Sequence, residues 1–479
     1  MSVPPGQNPD AQPDSLLPND RLELYGGRWA GLIPAAVLIA VMSWLSITER
    51  ASISAFWVGG FLALVIGMAL ARNRTRYAET IVRGLTDRTG AMVILAFVFA
   101  GVFGAIMKAA GLVDGLLWLG LQTGLTGSWF TVLAFLLACV FGAGTGTSVG
   151  TVQAMVPVLY PAGVLLGADP TMLAVAILAG GAFGDNIAPI SDTTVTSSFT
   201  QDAELGSVVR SRLPLALSAA AVALVVFAIF GGGGDVTEAD QNATGAIGLI
   251  QIIPFALVLT LALLRRHLFV SLTWGIVSAV VIGLVTGQLQ IGAIFSIPGE
   301  RGDSTGLLED GMGGVTGLIL LVLLIMAFSR VLAESGMMES LLAKLQNAAA
   351  RGVRSAELTI IVVTLIFTVP LGANAPAILL VGPTIAKPLG QKYGLSPARR
   401  ANLLDCSACT LFYMLPWHNA VIAWFATVTT VGATSDLTAP GIGAAFLNPY
   451  AWALLAVIIL SAVTGWNRTY SATKETVPA

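Results

Sequence analysis

From about residue 31 to residue 465 the chain is a succession of apolar stretches separated by short polar turns. A lipid interior offers no water to a backbone N–H or C=O, so any segment that enters it must satisfy those groups within itself, as a helix does. The composition agrees, with 56% hydrophobic residues, 10% charged residues and a mean hydropathy of +0.84, against the ~25% charged residues of a soluble domain. The expected fold class is an all-α polytopic membrane protein, folded as one bundle. A net charge of -2 provides no basic footprint for nucleic acid. Cys139, Cys406 and Cys409 all lie in apolar surroundings, which is no disulfide framework.

Spanning segments are expected near 31–47, 53–71, 91–107, 127–142, 148–163, 171–184, 213–230, 246–264, 268–287, 315–333, 356–371, 375–386, 403–428 and 444–465. Residues 1–27, rich in Pro, Asp and Asn and without the apolar core of a signal peptide, read as a disordered tail. Basic residues set the orientation: the arginine-rich loop 72–88, Arg210 with Arg212, Arg265 with Arg266, and the run Lys387, Lys392, Arg399, Arg400 all read as cytoplasmic. The link 231–245, without Lys or Arg, reads as external. The expected layout is a cytoplasmic tail (1–27), a first transmembrane half (28–230), an external linker (231–245), a second half (246–467) and a cytoplasmic tail (468–479), in a bacterial inner membrane with both termini inside. Lys108, Asp114 and Glu334, near segment ends, are expected to snorkel to the interface.

Several segments are shorter than the ~20 residues of a full crossing and flank Gly, Pro, Ser and Thr breaks, so they read as half-helices or re-entrant hairpins. The breaks are 142–151 (GAGTGTSVGT), 184–194 (GDNIAPISDTT), 370–376 (PLGANAP) and 412–419 (FYMLPWHN). Two halves with a pair of interruptions each is the pattern of a two-repeat secondary transporter with its site at the bilayer midplane.

The second break carries the most chemistry. A carboxylate at bilayer depth costs at least ~2.5–3.5 kcal/mol and persists where it faces a cavity, a partner or an ion. Pro189 lacks an amide hydrogen, so the carbonyl of Asp185, four residues earlier, loses its helical partner. Asp192, seven residues on, would share a face with Asp185 in an unbroken helix, and Ser191, Thr193 and Thr194 add hydroxyl oxygens beside Asn186. A small hard cation prefers such an all-oxygen surrounding, which makes Asp185, Asp192 and Thr193 candidate sodium ligands. The alternative is that Ser191 or Asp192 caps a helix end. In the second half the counterparts are Asp405, Ser407 and Thr410, followed by Trp417, His418 and Asn419; Asn374 in the third break and Thr145, Thr147 and Ser148 in the first are further candidates to line the pathway. His418 would bind or relay a proton, or be a neutral imidazole satisfied by a helix carbonyl. Cys406 and Cys409 read as packing residues one turn apart, not a metal pair. The first break lacks the lysine of a phosphate-binding loop.

GAFGDNIAPISDTT closely resembles the signature of the NhaC family of sodium/proton antiporters, and LPWHN resembles that family's Pro-Trp-Asn element. The resemblance implies secondary transport driven by sodium or proton gradients, with the broken helices forming the ion site; the family also includes exchangers of malate and lactate. Asn186 stands where the family often has a lysine, and His418 is inserted into the Pro-Trp-Asn element.

The expected mechanism is competition. Burial and a like-charged neighbour favour the protonated form of a carboxylate, so proton and sodium displace one another, and the empty charged site is costly to carry across the barrier. Asp185→Asn and Asp192→Asn are each expected to abolish sodium-dependent proton movement. No cofactor is expected beyond sodium and protons as cargo. The expected partners are the lipid bilayer and the two ions; a small organic acid or amino acid as cargo, and a second copy of the chain in a homodimer, stay open. Competing classes are an ion channel, for which buried titratable pairs have little use, and an intramembrane aspartyl protease, whose Tyr-Asp is replaced here by Leu404-Asp405.

Overall fold

A computed structural model of the chain describes residues 22–48, 50–86, 88–236, 246–297, 305–345 and 352–471. The first half comprises α1 (Leu32–Ile47), α2 (Ile53–Leu70), α3 (Arg74–Leu85), α4 (Arg88–Ala109), α5 (Leu112–Thr123), α6 (Ser128–Thr145), α7 (Ser148–Leu165), α8 (Pro170–Ile187), α9 (Asp192–Thr200) and α10 (Leu205–Phe230). The second comprises α11 (Ile252–Leu263), α12 (Leu268–Val285), the short α13 (Ile291–Ile294) and α14 (Leu307–Gly313), α15 (Thr316–Glu334), α16 (Met337–Leu345), α17 (Val353–Leu371), α18 (Asn374–Val381), α19 (Lys387–Lys392), α20 (Pro397–Leu411), α21 (Asn419–Thr434) and α22 (Pro449–Thr464). Among the described residues, ten spans are long and apolar enough to cross a bilayer, one of them α8 and α9 taken together. The protein is an all-α polytopic membrane protein, and the only sheet among the described residues is a two-stranded ribbon of β1 (Leu166–Ala168) and β2 (Gly232–Val236).

The ribbon marks one end of the bundle, where α6 and α8 begin and α7 and α10 finish. At the opposite end Arg400, in the first turn of α20, donates from Nε to Gln201 Oε1 (3.0 Å), just past α9, and Lys387 pairs with Asp202 at 2.6 Å. Arg399 meets Glu357 of α17 there as well, at 2.8 Å. The start of α20 therefore lies where α9 finishes. The broken pair α8–α9 and its counterpart α20–α21 run in opposite directions, and so do the hairpins α6–α7 and α17–α18, one entered from the ribbon end and the other from the arginine end.

The two hairpins share a turn geometry. Each first helix ends on a left-handed glycine, Gly146 (φ 68°) or Gly372 (φ 64°), a conformation that costs other residues about 1–2 kcal/mol. One extended residue follows, Thr147 or Ala373, and the second helix begins at Ser148 or Asn374. The first and third breaks are thus tight reversals two residues long, narrower than the sequence suggests.

Several expectations change. The arginine-rich loop 72–88 contains a helix, α3, capped by Asn73 Oδ1 accepting from Arg76 N (3.0 Å). It packs on α15 so closely that a Cβ on Gly84 would lie 2.6 Å from Met326 O. That contact corrects the reading of Glu334 as snorkelling. It is 1% exposed and held by Thr80 Oγ1 (2.8 Å), Arg83 Nη2 (2.6 Å) and Arg330 Nε (2.7 Å), because α3 brings its cations to the end of α15. Arg399 and Arg400 are buried rather than loop residues, the former sharing Glu357 with Arg468. Segment 403–428 splits into α20 and α21 at the expected break 412–419. Residues 22–27, expected in the tail, dock instead on the end of α2 through a bridge between Leu24 and Ala71, whereas 1–21, 237–245 of the linker and 472–479 lie outside the described residues.

Candidate functional site

Pro189 ends α8. The last amide reaching back is Ala188 N to Gly184 O (2.9 Å), and the helix resumes with Val195 N on Ser191 O (2.9 Å). Asp185 and Asn186 thereby occupy the exposed-carbonyl end of a helix inside the bundle, at the middle of the span Pro170–Thr200. The end of α8 is seated on α6, where a Cβ on Gly184 would be 2.3 Å from Gly142 Cα. In the second half the helix departs from α geometry at Cys409 (φ -80°, ψ 19°) and residues 412–418 form turns before α21 begins at Asn419.

Each hairpin tip touches both breaks. Within its own half, Gly146 packs against Ser191 N, which a Cβ would approach to 3.0 Å, and Gly372 O accepts from Asn419 N (3.1 Å). Across the halves, Asn374 Nδ2 donates to Asp185 Oδ2 (3.4 Å), while Ser148 lies against the hydroxyl of Tyr413. The result is a buried cluster around Asp185, which is 4% exposed. Its Oδ1 accepts from Ser191 Oγ (2.6 Å), and its Oδ2 accepts from Asn374 and from the Tyr413 hydroxyl. Ser191 Oγ also lies 2.9 Å from Thr193 Oγ1. Among the described residues no cationic side chain is paired with Asp185.

Asp405 has a different setting. It forms an ion pair with Arg212 at 2.7 Å, both side chains 0% exposed. Arg212 also donates to Thr194 Oγ1 (2.8 Å), to Asn402 Oδ1 (2.9 Å) and to the carbonyl of Asn186. Asn186 links the two acids: it follows Asp185 in the chain, its Nδ2 donates to Asp405 Oδ1 (3.3 Å), and its Oδ1 accepts from the Tyr450 hydroxyl (3.2 Å). Ser197 Oγ and Cys409 Sγ complete the surroundings of Asp405, each at 3.3 Å.

The structure thus brings together Asp185, Asn186, Ser191, Thr193, Thr194, Asn374 and Asp405, with Ser148 beside them. Asp192 is placed differently. The break rotates it away from the shared face expected of a continuous helix, and it sits in the first turn of α9 on an exposed face with Val195 and Phe199, where a carboxylate suits the helix N-terminus. Ser407 and Thr410 turn back on their own helix, donating to Leu403 O (2.6 Å) and Ser407 O (2.7 Å). Thr145 likewise donates to Phe141 O (3.0 Å), and Thr147 caps α7 by accepting from Gly150 N (3.3 Å). Trp417 and His418 pin the second break to the end of α17: Trp417 Nε1 donates to Val369 O (2.7 Å), and the His418 ring spans Leu411 O (2.9 Å) on one nitrogen and Thr368 O and Val369 O (3.2 Å each) on the other. Asn419 opens α21.

Arg212, Tyr413, Tyr450, Asn402 and Ser197 are absent from the sequence-derived candidates. The sequence alone reads Arg212 as cytoplasmic, with Arg210; it is instead the buried counter-ion of Asp405, eight residues into the 26-residue α10. The one hint is its position two residues before Pro214, at the edge of the apolar run 213–230. Tyr413 lies within the fourth break, where an aromatic hydroxyl near a proline marked it as reachable.

A profile described as the Na+/H+ antiporter family matches residues 24–232 and 238–466. Among curated proteins, the chain is 26% identical over 305 residues to the malate-2H(+)/Na(+)-lactate antiporter of Bacillus subtilis, covering 60% of this chain and 64% of that protein. It is 25% identical over 310 residues to the Na(+)/H(+) antiporter NhaC of Alkalihalophilus pseudofirmus, covering 61% and 66%. With the arginine/ornithine antiporter ArcD of Halobacterium salinarum it shares 25% identity over 410 residues, 81% of each chain. The matches to the first two relatives therefore span less than two thirds of their lengths. Among solved structures, that of the Alcanivorax borkumensis YdaH transporter is similar over 92% of this chain and 99% of its own, at 15% identity and a TM-score of 0.41.

Proposed function

We propose, for a chain that belongs to the Na+/H+ antiporter family, that it exchanges sodium for protons across a bacterial inner membrane, both ions competing for Asp185. The observation that carries this reading is the contrast between two buried acids. Asp405 already has a cation, Arg212, ion-paired to it at 2.7 Å; Asp185 has only hydroxyl and amide donors. A buried charge with no counter-ion is costly, so Asp185 is the group whose neutralisation by an arriving cation or proton gains most.

The chemistry of its neighbours fits either occupant. Ser191, Thr193 and Tyr413 carry hydroxyls, which donate to a bare carboxylate and rotate to offer lone pairs to a sodium ion. Asn374 has an amide oxygen that serves in the same way. The ligands come from both broken helices and from the hairpin tip of the opposite half, so occupation of Asp185 bears directly on how the halves fit together. Movement of the neutralised forms, and not of the charged one, gives exchange without leak. Asn186, standing where the family often carries a lysine, leaves Arg212, among the described residues, as the cation bonded to this pair of acids. Asp192, exposed on α9 and within electrostatic reach of Asp185, serves as an outer site of capture. The positive-inside tendency supports a cytoplasmic setting for the basic end of the bundle, with Arg399, Arg400 and Lys387, and with it the reading of both termini as inside.

The test is proton movement in proteoliposomes after a sodium pulse. Asp185→Asn is expected to abolish it while the protein remains inserted and folded; retention of sodium-dependent proton movement in that variant would overturn the proposal.

A second reading, exchange of an organic solute, draws on the names of the malate/lactate and arginine/ornithine antiporters and on a cavity of about 950 Å³ between α4, α7 and α21, too large for an ion.

A further inference from the structure

The cavity between α4, α7 and α21 follows α4 from Phe97 to Lys108, about 16 Å of helix rise. Its outer part lies at the ribbon end of the bundle. There Tyr160, near the end of α7, donates to Thr438 O (2.6 Å), just beyond α21, and Lys108 Nζ donates to Thr434 O (2.5 Å) from an exposed position. Its inner part is marked by Gln153, the lining residue of α7 nearest the hairpin tip, and by Thr427, which has the same place on α21. Exposure falls along that line, from the exposed Lys108 and Thr434 to Gln153 at 2%. The cavity is a vestibule that starts at the ribbon end and stops short of the breaks.

Two buried amides on this line lack partners. Gln153 has none on either Nε2 or Oε1, and Asn419 has none on Oδ1, at the start of α21 and 6% exposed. Native proteins keep buried polar groups bonded, so unmet amides on two facing helices point to an occupant that comes and goes. At 3.6 residues per turn, Asn419 shares an arc of about 80° on α21 with Thr427, Thr430 and Thr434, the three threonines of that helix that line the vestibule. The small Ala423 lies between them. Thr427 and Thr434 spend their hydroxyl protons on Ala423 O (2.7 Å) and Val431 O (3.1 Å), so toward the vestibule they offer lone pairs. At the inner end Asn419 N donates to Gly372 O (3.1 Å), on the hairpin tip whose Asn374 is bonded to Asp185. A file of hydroxyl and amide oxygens suits a small hard cation that is shedding its water.

We propose that this cavity is the sodium route between the ribbon end and Asp185, with the amide oxygens of Gln153 and Asn419 forming a transit site that replaces water around the ion. The inference rests on the ion reading above and adds to it a route and two residues. A volume too large for a bare ion suits a hydrated one at the mouth, and amide oxygens serve it where the waters are left behind. None of the groups bonded to Asp185 lines the cavity, so Gln153 is a positioning residue that acts on the passage of the ion and not on its final binding.

The experiment uses the full chain in proteoliposomes with a membrane-impermeant maleimide. The native thiols Cys139, Cys406 and Cys409 are buried, so the unsubstituted protein is the blank. Thr430→Cys is expected to be labelled from the same side as Thr123→Cys, an exposed position four residues before Gly127, whose N donates to Leu166 O of the ribbon (2.9 Å), and the label is expected to block sodium-driven proton movement. Gln153→Leu is expected to slow that movement about 10-fold or more, the scale of one hydrogen bond to a charged group, while the equilibrium affinity for radioactive sodium in lipid nanodiscs stays unchanged. Thr430→Cys that is not labelled from that side, an unchanged rate in Gln153→Leu, or a parallel loss of rate and sodium affinity in Gln153→Leu would overturn the proposal. Asp185→Asn in the same assay tells the two claims apart. Exchange that survives there sinks the ion reading and this route with it; exchange lost there, with a normal rate in Gln153→Leu, sinks the route alone.

Discussion

Replacing Arg212 by leucine tests whether Asp405 is a fixed structural charge or a carrier of ions. Arg212 and Asp405 are both 0% exposed and 2.7 Å apart at their nearest atoms, which sets their charge centres about 4 Å apart and their attraction at about 4 kcal/mol for an effective permittivity of 20. Arg212→Leu leaves a carboxylate with no counter-ion and strips Thr194 and Asn402 of a donor. Loss of one partner from a buried pair costs about 3–5 kcal/mol. The same loss is expected of Asp405→Leu, which strands the guanidinium, whereas the double variant strands neither. A double-variant cycle should give a coupling energy of at least about 3 kcal/mol, because the double variant is spared the stranded charge of either single, read by reversible SDS titration in mixed micelles. Asn186→Lys in the Arg212→Leu background should recover part of the loss, because position 186 already reaches Asp405 through its side-chain nitrogen. The functional arm separates the two roles: the double variant keeps Asp185 and its ligands, so sodium-driven proton movement should persist. Strictly additive stability losses would refute the pairing, and a stable double variant without exchange would show that Asp405 takes part in transport.

Tyr413→Phe removes one donor to Asp185 and should raise the sodium concentration for half-maximal proton release about 5- to 10-fold, the scale of one hydrogen bond, in the proteoliposome assay. Asp192→Asn should shift the same midpoint by about 5-fold, the weight of a charge that acts on Asp185 through space without being bonded to it, and complete loss of exchange would return Asp192 to the ion site. His418→Leu unpins the second break from Leu411, Thr368 and Val369 and should lower stability by about 1–3 kcal/mol with the sodium midpoint unchanged; a shift of that midpoint at unchanged stability would make the imidazole a transport residue.

The breaks, the spans and most of the Asp185 cluster were legible because they follow from local chemistry. Pro189 interrupts α8 wherever the helix sits, and Gly146 and Gly372 supply the left-handed residue their reversals need. Which face a residue takes was less legible. The reading of Asp185 and Asp192 as neighbours assumed a periodicity that the proline itself destroys. Positive charge was the least legible feature, since an arginine in a cytoplasmic loop and one buried against an acid have the same composition around them. From composition alone Arg212, Arg399 and Arg400 look like loop residues for that reason.

Sequence alone determined that the chain lives in lipid as helices, that those helices are broken at particular prolines and glycines, and that acids lie at the breaks, because backbone hydrogen bonding and the cost of charge in hydrocarbon act within a few residues of one another. Only the tertiary structure decided that the two halves run in opposite directions, that Asn374 reaches Asp185 from 189 positions away in the chain, and that Arg212 neutralises one acid and leaves the other free. Those outcomes depend on which helix ends meet, a question settled by packing over distances that no local pattern encodes.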